Sequence, residues 1–172
     1  DDKPVYAGQS GNPTTTGKAA FDQWFNDVAG VNKKTLLPLQ LTKSGGNVYT
    51  YDNSAFFPID STLWGNEGNP HNFHFTFELH TKFVYLGGEV FTFTGDDDLW
   101  VFINKKLAID LGGVHGAMNG QVDLDAKASE LGIQKGQTYP LDFFFAERHT
   151  SESNFRIDTT IASFVDCGPV VQ

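Results

Sequence analysis

Apolar and polar residues alternate with a period of two through much of the chain after Asn72. In 72–80 (NFHFTFELH), Phe73, Phe75, Phe77 and Leu79 share one face, and His74, Thr76, Glu78 and His80 share the other. That is the signature of a half-buried antiparallel strand. Residues 81–86 (TKFVYL) and 89–94 (EVFTFT) flank Gly87-Gly88, which predicts a hairpin. Segments 99–103 (LWVFI) and 107–111 (LAIDL) flank Asn104-Lys105-Lys106, which predicts a second tight turn. A short strand follows at 121–124 (QVDL), and 125–131 (DAKASEL) reads as one or two helical turns closed by Gly132. The three consecutive Phe of 139–147 (YPLDFFFAE) predict a strand buried on both faces, central in its sheet. Alternation returns at 154–161 (NFRIDTTI). Upstream, 18–28 (KAAFDQWFNDV) predicts a helix. Ala20, Trp24 and Val28 form a stripe with Phe21 and Phe25 beside it, ending at Gly30. The polar segment 8–17 (GQSGNPTTTG) reads as a loop. Many short strands with turn signals between them predict an all-β chain, an antiparallel β-sandwich with one short N-terminal helix.

Composition agrees with that reading. The 16 Phe, 5 Tyr and 3 Trp give 24 rings in 172 residues, beside 18 Gly and one Met, a bias towards packed strands and tight turns. The length suits one domain over 1–172, with 1–17 loop-like and 168–172 a tail. Twelve basic against 21 acidic residues give a net charge of −9. Such a charge argues against nucleic acid and anionic membrane surfaces, and suits hard cations such as Ca2+. No apolar run reaches the roughly 18 residues of a membrane span, so no membrane insertion is expected. Cys167 is the only cysteine, so no disulfide can close within the chain and no zinc site can rest on thiolates. The opening DDKPVYAG has neither a basic region nor an apolar run, as expected of a processed secretory chain or an excised domain.

The densest polar feature in the apolar frame is Gly95-Asp96-Asp97-Asp98, between FTFT and LWVFI. Adjacent carboxylates repel one another, and are tolerated as a solvated turn or around a cation. The spacing is not that of an EF-hand. His74 and His80 share a strand face with Glu78, whereas His115 and His149 fall in loops. Without a HExxH motif, these read as structural histidines. Glu147 and Arg148 read as structural, a buried ion pair or a group orienting a ligand. The Gly-rich 110–116 (DLGGVHG) does not lead from a strand into a helix, and no G-x-S-x-G elbow occurs. No nucleophile–base pair is evident, so the chain is not expected to be an enzyme.

The stretches FTFTGDDDLWVFINKKLAIDLGGVHGA and YPLDFFFAERHTSESNFRIDTTI resemble the fibro-slime family. Upstream, FDQWFNDVAGVN, YTYDNSAFFPID and HNFHFTFELHTKF extend the resemblance over about 20–167. That family is grouped with the anthrax protective-antigen-type β-sandwich domains, which also occur in flocculins and bacterial adhesins. The resemblance implies a lectin-type sandwich holding Ca2+ on two consecutive Asp residues joined by a cis peptide. The match falls on Asp96 and Asp97. Because Asp98 stands where related domains often have Gly, the register Asp97/Asp98 stays open. A cis bond between such residues costs roughly 3–4 kcal/mol and needs surroundings that enforce it. Calcium takes about 6–8 oxygens. The loop 149–154 (HTSESN) is implied to add ligands, with Ser151 and Ser153 completing the metal set. Asp96, Asp97, His149 and Glu152 are implied to meet the sugar.

The expected function is thus a calcium-dependent carbohydrate-binding (lectin) module of a secreted or cell-surface adhesin, part of a larger multidomain protein. Its expected partner is a glycan or cell-surface polysaccharide. The alternative is a non-lectin structural or protein-interaction module of an extracellular surface protein. The periodicity does not separate these two.

Overall fold

In the computed structural model, which describes residues 3–8 and 14–166, two five-stranded antiparallel sheets form the expected sandwich. One helical turn, α1 (Lys18–Phe21), precedes the strands. These are β1 (Thr42–Gly45), β2 (Val48–Asn53), β3 (Phe75–Val84), β4 (Val90–Gly95), β5 (Asp98–Ile103), β6 (Lys106–Leu111) and β7 (Met118–Asp123). Then come α2 (Leu124–Leu131), β8 (Thr138–Glu147), β9 (Phe155–Thr159) and β10 (Phe164–Asp166). The first sheet has the order β1-β2-β9-β4-β7, and the second β10-β3-β8-β5-β6. Cys167 and the tail at 168–172 lie outside the described residues.

Between the sheets the core is built of phenyl rings. Phe93, Phe143, Phe145 and Phe155 are fully buried, and Phe155 lies 4.3 Å from Phe56, ring centre to ring centre, in a stack. Tilted and edge-to-face rings fill such a layer densely and contribute beyond their area. The turn between β5 and β6 forms as predicted, with Asn104 and Lys105 at φ 50° and 63°, the left-handed pair of a two-residue hairpin. Helix α2 is also as predicted. Asp123 accepts from Ala126 N at 3.0 Å, and Gly132 ends the helix at φ 70°.

Two local expectations are overturned. Strand β3 runs without a break from Phe75 to Val84, and its continuation does not form a hairpin with β4. The two strands lie in different sheets. Gly87 and Gly88, at φ 102° and 84°, turn the chain across the sandwich instead. The buried Glu89 carboxylate holds that corner, accepting from Leu86 N at 2.6 Å and Gly87 N at 2.7 Å. The helix expected over 18–28 is only the single turn α1. No side chain caps it, and Phe25 adopts φ 55°, which breaks the helical run.

The apolar stripe of that segment is nevertheless used. Phe21 and Phe25 are buried against the outer face of the second sheet, where Phe25 meets Phe144 edge-on at 5.0 Å and Phe21 meets Trp100 at 5.8 Å. Strand β8 is central, as predicted, and it is covered on both sides for this reason. Phe143 and Phe145 point into the sandwich, while Phe144 lies under the N-terminal segment.

On the same outer face His80 Nδ1 donates to Asp142 Oδ1 at 2.7 Å, and Nε2 lies 3.5 Å from Glu78. The Asp142 and Glu78 carboxylates raise its pKa to about 9. The folded state therefore holds more protons than the unfolded chain between about 6.5 and 9. The stabilisation is present in full below that window and is lost as pH rises through it. His80→Gln is expected to remove up to about 2 kcal/mol of stability at pH 6, after allowance for partial solvent screening, and little above pH 9. Urea unfolding of both proteins across this range tests it, and a pH-independent difference would refute it.

Candidate functional site

Both chain crossings that surround the acidic triplet lie at one end of the sandwich. Strand β4 ends at Gly95 in the first sheet, and β5 begins at Asp98 in the second. Strand β8 ends at Glu147 in the second sheet, and the 148–154 loop returns the chain to β9 in the first. Because β4 pairs with β9 and β5 pairs with β8, the triplet and that loop must meet. Gly95 permits the meeting. A Cβ there would stand 2.3 Å from the Asn154 carbonyl oxygen.

The triplet is not a solvated turn, because all three carboxylates are buried. Each has a different set of partners. Asp98 accepts from Gly113 N at 2.6 Å through Oδ1 and pairs with Arg148 Nε through Oδ2. Arg148 also donates to the Thr14 carbonyl and lies over the Trp24 ring at 5.1 Å, tying the N-terminal segment to the site. Glu147 is therefore not the ion-pair partner of Arg148. Asp96 Oδ1 accepts from Asn154 N at 2.7 Å. Burial pushes the Asp96 carboxyl up, and the Asn154 amide offsets part of this.

Asp97 is the least exposed of the three, at 1%. Its backbone takes φ 60°, and no cis peptide bond occurs among the described residues. The expected cis Asp96–Asp97 link is thus absent, and a left-handed residue turns the chain instead. Asp97 Oδ2 accepts from Arg148 N at 2.7 Å and His149 N at 2.8 Å. Its Oδ1 is buried without a partner, as is Oε2 of Glu147. Burial first, and then the charge and carboxyl contact of Asp97, raise the Glu147 pKa to about 8.

A cavity of about 410 Å³ opens over Asp96 and Asp97 and is lined also by His115, His149, Ser151 and Glu152. His149 Nδ1 lies 2.8 Å from Ser151 Oγ, and Glu152 accepts from Asn154 Nδ2 at 3.2 Å. Of the residues implied by the resemblance, five therefore converge: Asp96, Asp97, His149, Ser151 and Glu152. Ser153 does not line this cavity. It is buried, and its hydroxyl donates to the Phe56 carbonyl at 2.9 Å. Glu147, in contact with Asp97, and His115, which lines the cavity, read from the sequence as structural residues. Their signals were weak, a strand-end Glu and a loop His, and only the crossing of the two sheets makes them neighbours.

Among the described residues no ready-made group of three His, Cys, Asp or Glu ligands is present. The donor set still fits a hard divalent cation. A buried carboxylate oxygen without a partner is costly unless a proton or a cation meets it. Asp97 Oδ1 is such an oxygen, and Asp97 is one of the residues lining a cavity rich in further oxygens. Neutral oxygens of the loop, water or ligand would have to fill the remaining positions.

Residues 42–168 match the PA14 domain family. The chain is also similar to proteins of Dictyostelium discoideum. It is 43% identical to protein psiR over 188 residues, 98% of this chain and 18% of psiR. Against protein psiQ it is 41% identical, with the same two shares. Against protein psiD it is 42% identical, over 98% of this chain and 36% of psiD. The chain thus spans between about a fifth and about a third of the length of these curated relatives. Among the described residues no helix is long and apolar enough to cross a membrane.

Proposed function

Because the chain belongs to the PA14 domain family, a carbohydrate-binding-like and adhesin-like β-sandwich family, we propose that it is a calcium-dependent lectin module of an extracellular or cell-surface adhesin. The fibro-slime subgroup is part of this reading, as is membership of a longer multidomain protein. The observation that carries it is the Asp96–Asp97 pair lining an open polar cavity, with Asp97 Oδ1 buried and unpartnered.

Asp96 and Asp97 are the proposed charged ligands, with Ser151 supplying a neutral oxygen from the loop. Partner use supports this register over Asp97/Asp98, since Asp98 is engaged by Arg148 and Gly113. Bound calcium would supply a Lewis-acidic point that accepts two neighbouring sugar hydroxyls. The chain's own residues do the rest. The amides of Arg148 and His149 fix the Asp97 carboxylate from behind. Glu147, whose carboxyl is pushed up by burial and by the Asp97 charge, packs against Asp97. His149 and Glu152 stand at the rim, where they can hydrogen-bond the ring of a sugar. Contacts so few and so wet imply weak single-site binding, about millimolar. Adhesion would then rest on many copies at one surface.

A glycan array probed in calcium and again in chelator tests the reading. Sugar binding that vanishes with chelator and returns with calcium is expected. Calcium binding without any glycan signal would favour a structural or protein-interaction module. Binding unchanged by chelator would remove the ion from recognition.

A further inference from the structure

We propose that a second pocket, on the other side of the 148–154 loop, is a subsite for a further sugar unit, so that the ligand is an oligosaccharide and not a single ring. This rests on the lectin reading above. The pocket has a volume of about 360 Å³ and is lined by Ser54, Phe57, His71 and Asn154 together with Ser151 and Glu152. The last two also line the cavity over Asp96 and Asp97. The two spaces therefore share one lip, and a ligand extending from the first across that lip enters the second.

The second space has the chemistry of a sugar site. Phe57 and His71 stack face to face at 4.0 Å and 7°, and Phe73 braces Phe57 edge-on at 5.0 Å. His71 is fixed by Asp60, whose Oδ2 lies 2.6 Å from Nδ1 while Oδ1 accepts from Asn72 N at 2.6 Å. The result is a rigid aromatic wall, preorganised at no further entropic cost on binding. The same lining carries the hydroxyls of Ser54 and Ser151, the Glu152 carboxylate and the Asn154 amide. A pyranose, apolar on its C–H face and hydroxylated at its edge, matches both halves of such a lining. A phosphorylated ligand would find no Lys or Arg among the lining residues, and Glu152 would repel it. An apolar ligand would leave the polar groups unpaired. The second unit is therefore a neutral sugar.

The test uses an array of neutral mono-, di- and trisaccharides in calcium with the wild type, His71→Ala and Ser54→Trp. Ser54 is exposed, so the indole fills the pocket without entering the core and serves if His71→Ala fails to fold. In the wild type, di- and trisaccharides are expected to bind about tenfold more tightly than the monosaccharide they contain. Both variants should lose that advantage and keep monosaccharide binding within about twofold. Variants that retain the length preference would overturn the subsite alone, as would variants that lose all lengths equally. A wild type that binds no glycan in calcium would overturn the lectin reading and the subsite with it.

Discussion

Asp97→Asn is expected to abolish the calcium-induced rise in melting temperature and, in chelator, to melt a few degrees above the wild type. The two effects share one cause. In the wild type the two carboxyls are in contact, and above the Glu147 pKa of about 8 Asp97 Oδ1 and Glu147 Oε2 are both buried acceptors without donors. An Asn can keep its oxygen on the Arg148 and His149 amides while its NH2 faces Glu147. One orphaned acceptor disappears and the other gains a donor, worth about 1–2 kcal/mol, or a few degrees for a domain of this size. The same change removes the charge that a divalent cation needs.

The pH dependence separates this from a generic loss of fold. Without calcium, the raised pKa of Glu147 leaves the folded state holding more protons than the unfolded chain between about 4.5 and 8. Stability therefore falls as pH rises through that window. In Asp97→Asn the charge repulsion behind part of the shift is gone, so the slope should flatten. Scanning calorimetry of both proteins, in calcium and in chelator, decides the matter. A variant that still gains stability from calcium would take Asp97 out of the site.

Gly95→Ala is expected to cost about 3 kcal/mol, a drop of roughly 6–12 °C, and to remove calcium binding as well. The added methyl would meet the Asn154 carbonyl at 2.3 Å and the Phe93 ring at 2.6 and 2.7 Å. Neither obstacle is the far end of a flexible side chain. One is the backbone of the loop leading into β9, and the other is a ring packed at the centre of the core. Relief requires β4 and that loop to part, and the Asp96–Asn154 hydrogen bond lies in the same gap. Gly45→Ala, on an exposed strand with nothing within 4 Å of the new methyl, should be neutral to within about 0.5 kcal/mol. Equal effects at the two glycines would show that close approach is not the reason Gly95 is there.

Much of the fold was legible because its determinants are local. The alternation of 72–80 put Phe75 inside, and the turn before Lys106 formed at Asn104-Lys105, where Asn104 is a residue type that tolerates left-handed backbone. The Asp123 cap and Gly132 likewise set the bounds of α2. The failures came where a local signal had two solutions. Gly87-Gly88 can close a hairpin or turn a corner between sheets, and the buried Glu89 carboxylate favours the corner. The stripe of 18–28 can be a helix or an irregular strap, and the apolar ground offered by Phe144 and Trp100 does not require helical geometry.

At the site, the acidic triplet and the loop at 149–154 were recognisable from their own residues and from the resemblance they carry. The division of labour among Asp96, Asp97 and Asp98 was not. Three identical side chains in a row present one pattern to a sequence reading. The Arg148 guanidinium and the Gly113 amide engage only the last of them, and Asn154 engages the first. Glu147 closes behind the middle one. By itself, then, the sequence determined the strand faces, the tight turns and the presence of an acidic corner, since each depends on residues within a few positions of one another. Which carboxylate is left without a partner was decided only by the tertiary structure. It depends on two crossings, fifty residues apart in the chain, that sheet pairing brings to the same end of the sandwich.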